Sequence, residues 1–396
     1  MKKLEQTVPN LRFKGFTDDW EQRKLGEISK RVRNNDGRMN LPLLTISARY
    51  GWMTQQSRFS ASIAGREKKN YTLLKKHQLS YNHGNSKVAI YGTVYELTDY
   101  DEALVPKVYH SFSLTSENSS KFIESYFHTK KLDAQLRKFI ASTARMDGLL
   151  NISFDDFMKV KLFAPEQCEQ SKISRIINLI EKLITLQQRK LEILIKLKRS
   201  FLTKSMVNSL DKNPELYFNS ASVKWLKQKL SDLTIKEFKG NTKLNDTKPG
   251  KTEYLDAERL NGNVPLFIDK PINTLKSDIL ILWDGSKAGS VYYGFEGSLG
   301  STLKAIRLNP KLVNSFFVYQ QLKSKQDVIF NKYRTPNIPH VIKNFTKVYP
   351  IYFPSMAVQN KIARFLGNLD TLIEIQQKSI KDHKVIKKYL LQKLFI

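Results

Sequence analysis

Pro165 to Met206 reads PEQCEQSKISRIINLIEKLITLQQRKLEILIKLKRSFLTKSM, and Pro354 to Phe395 reads PSMAVQNKIARFLGNLDTLIEIQQKSIKDHKVIKKYLLQKLF. Shifted by 189 residues the two align without a gap: Pro165 meets Pro354, Gln170 meets Gln359, Lys172-Ile173 meets Lys361-Ile362, Gln187-Gln188 meets Gln376-Gln377 and Lys198 meets Lys387. In both, apolar residues recur three and four apart, which predicts a long amphipathic helix. Each opens on a proline, tolerated in a first helical turn, and neither has one inside. About forty residues make a rod of roughly 60 Å. A helix that long with one apolar stripe needs a partner, and each copy suits the other as a coiled coil. The expected seam is Ile173, Ile177, Ile180, Ile184, Gln187, Leu191 and Leu194 against Ile362, Leu366, Leu369, Ile373, Gln376 and Ile380. Gln187 and Gln376 are polar at one repeated position, where such a residue can fix register.

Working outward, a second repeat precedes each helix. Trp20-Glu21-Gln22-Arg23-Lys24-Leu25-Gly26-Glu27-Ile28 corresponds to Trp225-Leu226-Lys227-Gln228-Lys229-Leu230-Ser231-Asp232-Leu233 at a shift of 205. The repeated unit is therefore a globular segment followed by a long helix. The predicted order is a loosely held leader (1–16), a first globular domain (17–164), the central helix (165–206), a polar linker (207–222), a second globular domain (223–353) and a distal helix (354–396). Inside the globular segments, Leu43–Ile46, Val88–Tyr91 and Asp278–Leu282 look like strands, and Ser120 to Phe139 has helical spacing. The fold class is α+β: two mixed α/β domains, two long helices packed as an antiparallel coiled coil, and a pseudo-two-fold repeat. A parallel pair would need the sixteen-residue linker nearly fully extended, at most roughly 55 Å.

Lys and Arg number 66 against 37 Asp and Glu in 396 residues, a formal charge of +29. Such a surplus points first to a polyanion, most often nucleic acid. No apolar run approaches the eighteen or so residues of a membrane span, and no secretory signal opens the sequence. The single cysteine, Cys168, excludes an internal disulfide, so a reducing cytoplasm is expected.

With its repeated domain starts, the helix openings Gln170-Ser171-Lys172-Ile173 and Gln359-Asn360-Lys361-Ile362, and the run Lys387-Lys388-Tyr389-Leu390-Leu391-Gln392-Lys393-Leu394-Phe395, the chain resembles the specificity subunit of a type I restriction-modification system over nearly its whole length. The resemblance implies two target-recognition domains that read an asymmetric, bipartite double-stranded DNA sequence. It implies partners as well: two methyltransferase subunits acting on adenine N6, and two restriction/translocase subunits. S-adenosylmethionine, ATP and Mg are expected on those partners, and no cofactor or metal on this chain, which would not form a homo-oligomer by itself. On this view the helices set the distance between two readers whose half-sites lie about one helical turn apart, roughly 34 Å.

Lys and Arg on phosphates supply affinity, while Arg, Asn and Gln on base edges supply choice. The DNA-binding candidates in the first domain are Arg49, Tyr50, Arg66, Lys68, Lys69, His83, Asn85, Lys87 and Arg145. In the second they are Lys243, Asn245, Lys248, Lys251, Ser286, Lys287 and Arg334. Catalytic signatures are missing: no Gly-x-Gly-x-x-Gly occurs, and Gly250-Lys251-Thr252 lacks the earlier glycine of a phosphate-binding loop. The six histidines are scattered, which argues against a metal cluster. The alternative reading is a coiled-coil scaffold or nucleoid protein that binds DNA without sequence preference.

Overall fold

The computed structural model describes residues 7–396 apart from 60–64, 85, 116–117, 141–148, 208–213, 217–223 and 336–338, and leaves out the side chains of 65–67 and 246. The chain forms two compact units, one from residues 1–188 with 378–396 and the other from 189–377. The central helix runs Gln167–Ser205 and the distal helix Met356–Lys393, so each helix gives one half to each unit.

In unit 1 a four-stranded antiparallel sheet has the order Ser29–Arg31, His110–Leu114, Leu79–Asn82, Thr93–Glu96. Its base is a strand pair, Glu21–Lys24 with Lys161–Ala164, in which Glu21 faces Ala164. The core gathers Trp20, Phe112, Phe122, Tyr126 and Phe157 with Ile173 and Ile177 of the central helix and Leu391, Leu394 and Phe395 of the last segment. Burying each large side chain is worth roughly 1.5–3 kcal/mol, so this cluster is what ties the last segment down. As the central helix ascends from Ile173 to Glu181 the distal segment descends from Phe395 to Lys387, an antiparallel pairing.

Unit 2 repeats the plan. Its sheet has the order Thr234–Lys239, Leu303–Leu308, Ile279–Leu282, Val291–Tyr292, and its basal pair sets Leu226 opposite Phe353, the counterparts of Glu21 and Ala164. A further three-stranded sheet joins Phe267–Ile268, Pro249–Leu255 and Ser298–Leu299. Trp225, Ile281, Phe317 and Phe345 pack with Phe201 of the central helix and with Ile362 and Leu366 of the distal helix. Here too the helical halves run antiparallel: Lys198 pairs with Asp370 and the Phe201 ring lies 4.3 Å from that of Phe365.

Local details repeat as closely. The Ser29 and Thr234 hydroxyls each donate to the carbonyl four residues back, Leu25 and Leu230, at 2.7 Å. The Gln170 amide donates to Pro165 O at 2.9 Å and its oxygen accepts from Ser119 N–H at 3.0 Å; Gln359 does the same with Pro354 O (2.9 Å) and Asn314 N–H (2.8 Å). Along the seam, Ile173, Ile177, Ile184, Ile362, Leu366, Leu369, Gln376 and Ile380 are buried, and Ile180, Gln187, Leu191, Leu194 and Ile373 half-buried.

Three expectations are corrected. Val88–Tyr91 is not a strand but part of the connection between Leu79–Asn82 and Thr93–Glu96, because the Ser86 hydroxyl captures Ala89 N–H at 3.1 Å and Gly92 turns the chain at φ +80°. The helical stretch Ser120 to Phe139 is two helices, Ser120–His128 and Asp133–Phe139, broken at Lys130 with φ +66°. The described part of the leader is held rather than loose: Arg12 makes two 2.8 Å bonds to the buried carboxylate of Glu169, and Leu11 N–H donates to Lys393 O at 2.9 Å.

Candidate nucleic-acid interface

Unit 1 offers its cations on short connections that the sheet leaves outside. Arg49 and Tyr50 are exposed at the tip of the hairpin Leu44–Ser47/Gly51–Thr54, where the Ser47 hydroxyl accepts both of their N–H groups at 3.3 Å. The Arg49 guanidinium lies 5.5 Å from the Tyr50 ring centre. Gly51 must turn here with φ +73°, and a Cβ on it would press on the Tyr95 ring at 3.1 Å. Arg66, Lys68 and Lys69 fall in the short 3-10 helix Gly65–Asn70; Lys69 is exposed, Lys68 half-buried, and the Arg66 side chain lies outside the described residues. Lys87 is exposed in the connection after Leu79–Asn82, while Asn85 and Arg145 lie outside the described residues.

His83 is a correction. It is only 2% exposed, its two ring nitrogens face the carbonyls of Leu150 (2.7 Å) and Val108 (2.8 Å), and its ring stacks on His110 at 4.9 Å. It cannot reach a duplex; it fastens three connections to one another. The partners lie 25 and 67 residues away, so local pattern could not reveal them. Sequence reading also missed His110, whose imidazole burial pushes down to about 4, with Ile152 O bound at 3.0 Å.

In unit 2, Lys243 and Asn245 are exposed around the short turn Leu244–Asp246, and Lys248 and Lys251 are exposed at the start of the strand Pro249–Leu255. The structure brings Ser286, Lys287 and Arg334 to one place: Arg334 donates to Ser286 O at 3.1 Å and lies 5.5 Å from the Phe330 ring centre. Hydrogen bonds from Ser301 N–H to Thr242 O (3.1 Å) and from Trp283 N–H to Thr302 O (2.8 Å), with the Lys239–Asp284 ion pair at 2.6 Å, gather the 240s, 280s and 300s connections at one edge of the sheet. Lys304 and Arg307, by contrast, are held by Glu237 and by buried Asp278, so they hold the sheet together and are not offered outward.

A buried ionic cluster occupies unit 1 where the helix Ser120–His128 meets the long helices. Glu124, His128 and Glu181 have potential ligand atoms within 4.8 Å of one another, but the Lys121 ammonium already sits between the carboxylates, 2.8 Å from Glu124 and 2.5 Å from Glu181. Burial pushes the Glu124 carboxyl up to about 7 and the His128 imidazole down to about 4. Against burial, Lys121 and Lys387 hold Glu181 below the usual carboxylate range. The cluster carries its own cation, which suits a structural role better than metal binding. Among the described residues no helix is long and apolar enough to cross a membrane.

Residues 222–382 match the family described as "Type I restriction modification DNA specificity domain". The MjaVIII type I restriction enzyme specificity subunit of Methanocaldococcus jannaschii is 32% identical over 165 residues, covering 41% of this chain and 39% of that protein; the match therefore spans about two fifths of that relative. The protein described as "Putative type I restriction enzyme MjaX specificity subunit", from the same organism, aligns at 24% identity over 98% of this chain and 96% of its own length. Among solved structures, the S subunit of a type I restriction-modification system from M. genitalium superposes with a TM-score of 0.68 at 17% identity, covering 98% of this chain and 99% of that one. That likeness concerns the fold.

Proposed function

We propose that this chain is a specificity subunit of a type I restriction-modification system, that it reads an asymmetric, two-part DNA sequence, one part per unit, and that it performs no chemistry itself. The observation that carries this reading is the repeat. Both units share one sheet order, one basal strand pair and one helix docking, yet their exposed connections carry different residues. A repeated frame with unlike loops suits two readers of unlike half-sites. The long helices would set the unread spacer and dock two methyltransferase subunits, which carry S-adenosylmethionine; two restriction/translocase subunits using ATP and Mg would complete the assembly in the cytoplasm.

The test is co-expression with the methyltransferase encoded beside it, followed by mapping of methylated adenines across the host genome. A single two-part motif with a fixed gap is expected. Failure to co-purify, or methylation without sequence preference, refutes the reading; tight, steeply salt-dependent DNA binding with no preferred sequence would instead favour the scaffold alternative.

A further inference from the structure

The two units present one loop at one place. The connection leaving Leu79–Asn82 carries Ser86-Lys87, and the connection leaving Ile279–Leu282 carries Ser286-Lys287; a single shift of 200 residues lays strand on strand and Ser-Lys on Ser-Lys. The surroundings agree. Leu79 pairs with Phe112 and Ile279 with Ile306 in the respective sheets. Leu150 N–H donates to His83 O at 2.8 Å, and Val341 N–H to Trp283 O at 2.9 Å. Gly84 bridges to Leu149 and Asp284 to His340.

Beneath each loop lies a ring supported from the same position of the next strand, but by different chemistry. His83 rests on His110, which pairs with Tyr81; Trp283 rests under the Lys304 ammonium, 4.1 Å from its ring centre, and Lys304 pairs with Ile281. Unlike supports therefore deliver the same loop position and the same exposed lysine. Among the described residues, neither Lys87 nor Lys287 enters an ion pair, whereas in unit 2 Lys239 pairs with Asp284 and Lys304 with Glu237.

We propose that Lys87 and Lys287 each bind a DNA phosphate, as an anchor common to both halves of the target and indifferent to its sequence. The assignment rests on the DNA-reading function proposed above and sorts two of its candidates. Two half-sites that differ in bases have in common what every duplex offers, the phosphate chain, and a lysine ammonium suits it as a point charge free of directional demands. Base choice then falls to the connections in which the units differ.

The test uses the full-length chain in its methyltransferase assembly, on its own target and on an unrelated duplex, titrated with salt. Lys87→Gln and Lys287→Gln should each make the slope of log affinity against log salt shallower by about 0.9, and the double variant by about twice that, on both duplexes. The methylated motif should be unchanged in both halves, and Lys→Arg at either position should restore the slope, which a folding defect would not explain. Unchanged slopes in the glutamine variants, or an altered base preference in either half, would overturn the assignment while leaving DNA reading intact. An unaltered assembly without salt-dependent DNA binding would overturn both.

Discussion

His110 shows how a single buried side chain makes unit 1 sensitive to acid. Burial holds its imidazole down to about 4, whereas in the unfolded chain it titrates near 6.5. A depressed imidazole contributes stability that is complete above about pH 6.5 and is lost as pH falls toward 4. Between pH 7 and pH 5 that loss is about 2 kcal/mol. Urea unfolding of the full-length chain, read from unit 1 peptides by pulsed labelling, should show it, and His110→Gln should flatten the dependence by that amount. Glu124, pushed up to about 7, acts in the opposite sense over this range and His128, held down to about 4, in the same sense, but both are common to the two proteins. An identical pH dependence in the variant would show that His110 does not titrate as described. At this scale the sequence was partly legible. Gln170 and Gln359 stood out as a repeated pair, and the structure supplies the cause: each joins a helix opening to the N-terminus of another helix. His83 was misread because a polar residue in a Gly-Asn-Ser-Lys stretch looks solvent-facing until its distant carbonyl partners are known.

Among the elements, the long helices were the most legible, since a repeat of three and four sustained over nearly forty residues has no reading but helix. The pairing adds ionic contacts that follow the repeat: Glu181 with Lys387 in unit 1, and their counterparts Asp370 with Lys198 in unit 2. Asp370 also accepts from the Gln320 amide at 2.7 Å. A double-mutant cycle on Lys198→Ala and Asp370→Ala should yield a coupling of about 1 kcal/mol, with Asp370→Ala the costlier single change because it strands both partners. Zero coupling would mean that apolar packing alone holds this part of the pair. Short elements were less legible. Val88–Tyr91 has strand composition, yet a hydroxyl and a left-handed glycine turn it, and both apolar tips, Val88 and Ile90, end up about half exposed. The break at Lys130 carries no proline or glycine to announce it.

For the whole molecule, the unit 2 core names what a transplanted reader must keep. Trp225, Phe317, Phe345 and Ile351 meet helix residues Phe201, Ile362 and Leu366, so a segment 223–353 from a relative that presents the same apolar face should fold on these helices. Its exchange should alter one half of the methylated motif and leave the other; alteration of both halves would refute independent reading. The division into units has another consequence, in time. Unit 2 is one contiguous stretch, 189–377, whereas unit 1 closes only when Leu391, Leu394 and Phe395 reach Trp20, Phe122 and Tyr126. At ribosomal rates of about 5–20 residues per second, the first-made half waits roughly 10–40 s for the segment that completes it. The usual order of birth is thereby inverted: the domain begun first is finished last, its closing residues made about 1–4 s after the last residue of its twin.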